Sequence, residues 1–197
     1  MTNKKVYRTI GASNHSKGER EINDYYATDP KALELLLDLE KFNTRVWECA
    51  CGEHHLVNVL ENRGYEVKAS DILDRLGDGR TEIINFLQFN GRFDGDIITN
   101  PPYKHAKEFV EKAIEVIPKG NKVAMFLKVT FLESNSRKEL FENNPPKIIY
   151  VSSARLSCAK NGDFKKHNKG AICYAWFIWE KGFKGEPVVR WFNWKQQ

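Results

Sequence analysis

The stretch Asp96-Ile97-Ile98-Thr99-Asn100-Pro101-Pro102-Tyr103 decides how this chain folds. Residues 96–99 read as a short buried strand entered from a glycine-flanked turn. Two prolines cannot continue a central strand, so the chain must leave the sheet at Asn100. A helix follows. Ala106, Phe109, Val110, Ala113, Ile114 and Ile117 recur at the helical period, and Pro118-Lys119-Gly120 stops it. Residues 122–127 then read as another strand. Strand, crossover helix and strand predict parallel pairing with a right-handed crossover.

The same alternation extends outward. Asp29-Pro30 opens a helix that carries Leu33, Leu36 and Leu37 on one face. Residues 45–49 read as a buried strand, 50–55 as a turn, and 56–63 as a helix closed by Gly64. A strand over 66–70 ends at Asp71, a Gly- and Asp-rich loop fills 73–80, and 82–84 is a brief strand. Towards the other end, Ser136-Arg137-Lys138-Glu139 reads as a capping box that opens a short helix. Residues 147–151 and 171–180 are late strands separated by a basic loop. The prediction is an α/β fold: a doubly wound, mostly parallel sheet of seven strands, with helices on both faces and a late antiparallel strand. In such sheets ligands bind beyond the carboxyl ends of the strands, near the point where strand order reverses. Cys51-Gly52, Asp71, Asn85 and Asn100 cluster there.

The chain has 197 residues, enough for one domain with a full core, and its 41% hydrophobic and 29% charged residues are ordinary for a globular protein. A net charge of +5 is unevenly spread: residues 1–20 and 155–170 each carry +4, leaving −3 for the body. Such clustering suits a polyanionic partner. The longest apolar runs, such as 171–179, fall far short of the roughly 20 residues of a membrane span. No apolar secretory core follows Met1, so a cytoplasmic protein is expected. Four cysteines in a chain of this length make no disulfide framework. Cys49-Ala50-Cys51 with His54 and His55 lacks the usual zinc spacings, so no metal site is expected.

Asn100-Pro101-Pro102-Tyr103 also carries chemistry. Both proline φ angles are fixed, and Asn100 and Pro101 are held extended as residues preceding proline. The loop thus presents a carboxamide, backbone carbonyls and an aromatic ring in set directions. An amino group conjugated to a ring is a poor nucleophile because its lone pair is delocalised. Accepting hydrogen bonds from both its N–H groups, through the Asn100 side-chain oxygen and the Pro101 carbonyl, localises that lone pair. As the nitrogen attacks an electrophile it gains positive charge, which fixed carbonyl dipoles stabilise more than they do the neutral ground state. Tyr103 offers stacking and a cation–π contribution. The second constellation is Trp47-Glu48-Cys49-Ala50-Cys51-Gly52-Glu53, a glycine-bearing turn between strand and helix through which backbone can approach a nucleoside-type cofactor. Asp71, 19 residues after Gly52, is placed to accept from two ribose hydroxyls, and Glu48 to accept at the same mouth.

With these motifs the chain resembles the class I S-adenosylmethionine-dependent amino-methyltransferases, specifically the N6-adenine DNA methyltransferases of phage and restriction–modification systems. The resemblance runs from about Tyr25 to Trp179. It implies a Rossmann-like methyltransferase domain over 24–197, preceded by a basic arm over 1–23 and carrying a basic substrate loop over 155–170. It implies that Asn100, Pro101, Pro102 and Tyr103 take the target amine. The cofactor, S-adenosylmethionine, would be held by Glu48, Ala50, Cys51 and Gly52, by Asp71, by the Asn85-Phe86-Leu87 segment and by Asn100. A Tyr-x-Thr-x-Pro segment matching Tyr26, Thr28 and Pro30 would lie against its methionine end. Two positions depart from the pattern. His54 stands where a second glycine is expected, which costs on the order of 1 kcal/mol if that position needs a positive φ. Asn85 replaces an aspartate.

The expected partner is nucleic acid, with Arg155, Lys160, Lys165, Lys166 and Lys169 on phosphates and a bacterial or phage-infected cytoplasm as the setting. Three alternatives stand beside DNA adenine: the same chemistry on RNA adenine, on cytosine N4 or on a protein glutamine. A fourth is a nucleic-acid-binding module whose cofactor site has degenerated.

Overall fold

The computed structural model describes residues 26–154, 156, 158–160 and 172–192. The sheet-forming strands are β2 (Arg45–Glu48), β3 (Glu66–Asp71), β4 (Glu82–Ile83), β5 (Asp96–Thr99), β6 (Lys122–Lys128), β7 (Ile148–Ser152), β9 (Tyr174–Glu180) and β10 (Val188–Phe192). They form an eight-stranded sheet in the order β10-β7-β9-β6-β5-β2-β3-β4. All pairings are parallel except those of β9, which runs antiparallel to both β6 and β7. The predicted architecture is therefore present, with eight strands in place of seven. The eighth, β10, is an edge strand with Val188, Val189 and Trp191 exposed, so it lacks the buried alternation that marks the others. A separate two-stranded antiparallel ribbon joins β1 (Tyr26–Thr28) to β8 (Cys158–Lys160) and was not anticipated from strands this short.

Residue alternation builds two cores. On β5, Ile97 faces one side and Ile98 the other. On β6, Val123, Met125 and Leu127 share the face of Ile97, while Ala124 and Phe126 share that of Ile98. Helix α3 (Ala106–Val116) covers the first face with Phe109, Val110, Ala113 and Ile114. Helices α1 (Pro30–Leu39) and α2 (His55–Asn62) cover the second with Leu33, Leu36, Leu56, Val59 and Leu60. The largest side chains tie elements together. Trp176 on β9 donates to the Ala32 carbonyl of α1 at 3.0 Å, and Trp47 on β2 donates to Ser70 Oγ on β3 at 2.8 Å. Truncating a buried aromatic of this kind typically costs about 3–5 kcal/mol.

The strand bottoms are locked by Asp96, which accepts from the backbone N–H groups of Asn43 and Lys122, both at 2.7 Å. Asp29 caps α1 by accepting from Lys31 N at 3.0 Å, with Pro30 in the first turn as expected. The capping box at Ser136 is not formed. Helix α4 (Lys138–Asn143) starts two residues later, with Arg137 at its cap and no side-chain cap bond. Ser134 accepts from Ser136 N at 3.2 Å, closing a 3-10 turn over Asn135–Arg137. The Arg137 guanidinium, bonded to the carbonyls of Phe131, Thr130 and Glu133, fixes that turn.

Candidate active site

Strand order reverses between β2 and β5, so the loops leaving these two strands diverge and open a cavity of about 240 Å³. One wall belongs to β2 and β3. Cys51 N donates to the Ser70 carbonyl at 3.0 Å, drawing the β2 loop over the end of β3. Gly52, at φ 53°, donates its N–H to Asp71 Oδ2 at 3.0 Å, while Asp71 Oδ1 accepts from Leu73 N at 3.3 Å. Glu48 Oε1 accepts from Ala50 N at 3.1 Å. Glu48 is almost wholly buried, and loss of hydration pushes its carboxyl up to about 8 despite the hydrogen bonds that oppose the shift. Burial pushes the Cys51 thiol up to about 12 and that of Cys49 well above its ordinary range, so neither is a reactive thiolate.

The other wall is the loop leaving β5. Asn100, Pro101 and Pro102 line the cavity, followed by His105 and by Phe109 of α3. The Pro102 carbonyl accepts from His105 N at 2.9 Å, closing the 3-10 turn Tyr103–His105 that leads into α3. The floor is aromatic: Phe86 packs edge-on to Trp47 at 5.2 Å and tilted against Phe109 at 5.2 Å.

The structure brings most of the residues singled out in the sequence to this cavity. Thr28, Glu48, Ala50, Cys51, Asp71, Asn85, Phe86, Leu87, Asn100, Pro101 and Pro102 all line it. Gly52 contributes through its bond to Asp71 rather than as lining, and Pro30 opens α1 outside it. Only the backbone of Tyr26 is described. Tyr103 stands beyond the lining, with its ring 6.0 Å from that of Tyr174 and beneath Lys128 Nζ at 4.9 Å. Arg155, Lys165, Lys166 and Lys169 lie outside the described residues, as do residues 1–23, and of Lys160 only the backbone in β8 is described. Sequence reading missed Arg75, His55 and His105 in the cavity wall, and Ile72 and Ile84 beside Asp71 and Asn85. Their adjacency to motif residues was the available signal. Among the described residues no group of three His, Cys, Asp or Glu is arranged to hold a metal ion, and no helix is long and apolar enough to cross a membrane.

The family model for DNA N-6-adenine-methyltransferase (Dam) matches residues 81–192, more than half of the chain. The chain belongs to that family. No curated protein matches it in sequence. In fold it is similar to a protein from Listeria monocytogenes described as a class I S-adenosylmethionine-dependent methyltransferase, at 15% identity and a TM-score of 0.62, over 90% of this chain and 68% of that one. It is similar to the methyltransferase subunit of a type I restriction–modification system from Streptococcus thermophilus, at 13% identity and TM-score 0.58, over 88% of this chain and 48% of that one. A Pyrococcus horikoshii protein described as an RNA methyltransferase has 16% identity and TM-score 0.55, over 93% of this chain and all of that one. The Dam-family chain is a methyltransferase, and its methyl donor is S-adenosylmethionine. The cavity fits such a cofactor: it has two carboxylates, an aromatic floor and, at Thr28 Oγ1, a buried polar atom without a hydrogen-bond partner among the described residues.

Proposed function

We propose that this chain methylates the exocyclic N6 amine of adenine in DNA. The observation that carries the proposal is the placement of Asn100, Pro101 and Pro102 on one wall of the cavity whose opposite wall carries Glu48 and Asp71. Asp71 and Asn85 would hold the nucleoside part of the cofactor, and Glu48 with Thr28 its amino-acid end, while Ala50, Cys51 and Gly52 let backbone approach it. Bound S-adenosylmethionine supplies a methyl group on a sulfonium, whose C–S bond breaks with both electrons staying on sulfur. The chain's own residues prepare the acceptor. Asn100 Oδ1 takes one N–H of the amine. The Pro101 carbonyl takes the other, since the Pro102 carbonyl already accepts from His105. The nitrogen lone pair, localised in this way, forms the new N–C bond, and the nitrogen then releases a proton to solvent. Positive charge developing on nitrogen meets carbonyl dipoles that need no reorganisation. Tyr103, whose ring lies just beyond the cavity lining beside Tyr174, would offer the base a stacking face from there.

A duplex base reaches such a corner only when it is extruded from the stack. The basic segments over 1–20 and 155–170 would hold the phosphates, which makes binding salt-dependent. The uneven charge favours nucleic acid over protein, and the family match favours DNA. Incubation of the protein with methyl-labelled cofactor and separate pools of DNA, RNA and protein tests the reading, with the modified nucleoside or residue identified by mass spectrometry. The expected product is N6-methyladenine in DNA. Label in RNA or protein alone, or at cytosine N4, would replace it, and no transfer with retained cofactor binding would favour a binding module.

A further inference from the structure

The loop joining β2 to α2 carries a histidine where its backbone favours glycine. His54 lies at φ 62° and ψ 21°, in the left-handed region. Its ring is completely buried, and Nε2 lies 2.8 Å from Thr81 Oγ1. The Thr81 hydroxyl, itself buried, also lies 3.7 Å from Cys51 Sγ. On the other side of the ring, Nδ1 is 3.9 Å from Asp78 Oδ2, too far for a hydrogen bond. Asp78 is in turn fixed by accepting from Arg80 N at 3.0 Å. One imidazole thus reaches from the β2 loop to the far end of residues 72–81. The near end of that segment, Ile72 and Arg75, walls the same cavity as Cys51 and Leu56. Glycine at position 54 would relieve the backbone and break this link.

We propose that His54 is a positioning residue for the cofactor: through Thr81, its buried ring clamps residues 72–81 against the loop of Ala50, Cys51 and Gly52 and so sets the width of the cavity. The inference rests on the reading of that cavity as the cofactor pocket. His54 touches no reacting atom and acts through Thr81 and Cys51. The structure thereby converts a departure from the glycine pattern into a device for binding rather than a defect.

The test uses the full chain, titration calorimetry with S-adenosylhomocysteine, and amide exchange across residues 72–81. Thr81→Val keeps the side-chain shape and removes the hydroxyl. It is expected to weaken binding about tenfold, the cost of one buried hydrogen bond, and to speed exchange in 72–81, with kcat at saturating cofactor within about twofold of wild type. Thr81→Ser restores both binding and protection. His54→Gly reproduces the Thr81→Val effects, and the double variant adds little to either. If His54→Gly fails to fold, the Thr81 pair decides alone. Binding within about twofold of wild type and unchanged exchange in Thr81→Val would overturn the clamp. Absence of S-adenosylhomocysteine binding by the wild-type chain would instead overturn the reading of the cavity, while exchange in the ligand-free variants would still report on the clamp.

Discussion

The two walls of the cavity are held by different physics. The wall of β2 and β3 rests on side chains that accept from backbone amides: Glu48 from Ala50, and Asp71 from Gly52 and Leu73. The wall of β5 rests on the backbone itself, with two pyrrolidine rings fixing φ and a 3-10 turn leading into α3. The family match begins at Thr81, so it takes in the β5 wall and stops short of the β2 loop. A wall made of side-chain bonds, such as the one between His54 and Thr81, can be altered one bond at a time. A wall that must aim two acceptors at one nitrogen has far less freedom. Substitutions on the two walls should therefore separate kinetically, turnover following the β5 wall and cofactor affinity the β2–β3 wall.

The largest effect is expected for Asn100→Ala. On the proposed mechanism it removes one of the two acceptors for the amine and leaves both prolines in place. By analogy with the loss of one preorganised transition-state hydrogen bond, kcat should fall about 10²–10³-fold. Affinity for S-adenosylhomocysteine should fall far less. Steady-state turnover with DNA and calorimetry on the same preparation measure the two numbers. Equal losses in both would move Asn100 to the cofactor wall and break the comparison.

Most of the β5 wall was legible in the sequence because its signals are local. An apolar strand, two prolines and a helix of regular period follow one another without interruption, and the structure places α3 where that period puts it. Asp71 was legible for a similar reason, as an acidic residue ending a strand. The ribbon of β1 with β8 was not, because its three pairs join residues 130 to 134 positions apart and neither strand has a pattern of its own. Strand β10 was missed because its exposed face carries Val189 and Trp191, so no polar alternation marks it. The false capping box at Ser136 shows the converse. The four-residue pattern was present, but Ser134 and the Arg137 guanidinium had already claimed the turn. Tyr103 follows the prolines in sequence, and the 3-10 turn sets its ring beside Tyr174 and Lys128, just outside the cavity lining.

A smaller and different loss is expected for Asp71→Ala. The variant removes a charged acceptor from Gly52 N and Leu73 N and an acceptor for ribose hydroxyls, so S-adenosylhomocysteine should bind about 10–100-fold more weakly. At saturating cofactor, kcat should stay within a few-fold of wild type, because the β5 wall is untouched. A collapse of kcat at saturation would show that the two walls are mechanically coupled. Thermal unfolding separates the lost loop hydrogen bonds from the lost ligand contact: the former lower Tm without ligand, whereas the latter reduces the rise in Tm that ligand produces.

The smallest effect sharpens the comparison through pH. Glu48 ionises near its ordinary 4.5 when unfolded and near about 8 in the folded chain, where burial disfavours its charge. Between these values the folded state holds a proton that the unfolded state has lost, so stability falls as pH rises. The contribution is fully present below pH 4.5, declines up to about pH 8 and is flat above it. Glu48→Gln keeps an oxygen for Ala50 N and cannot ionise. Relative to that variant, wild-type Tm should drop between pH 5 and pH 8. Asn100→Ala, on the other wall, should retain the wild-type slope. A cofactor that presents a cationic amine to Glu48 favours its ionised form, so S-adenosylhomocysteine should bind the wild type more tightly as pH rises towards 8 and Glu48→Gln with a flatter profile. Parallel pH profiles for the wild type and Glu48→Gln, in both Tm and affinity, would show that Glu48 is ionised in the folded chain and that its wall is wetter than its burial implies.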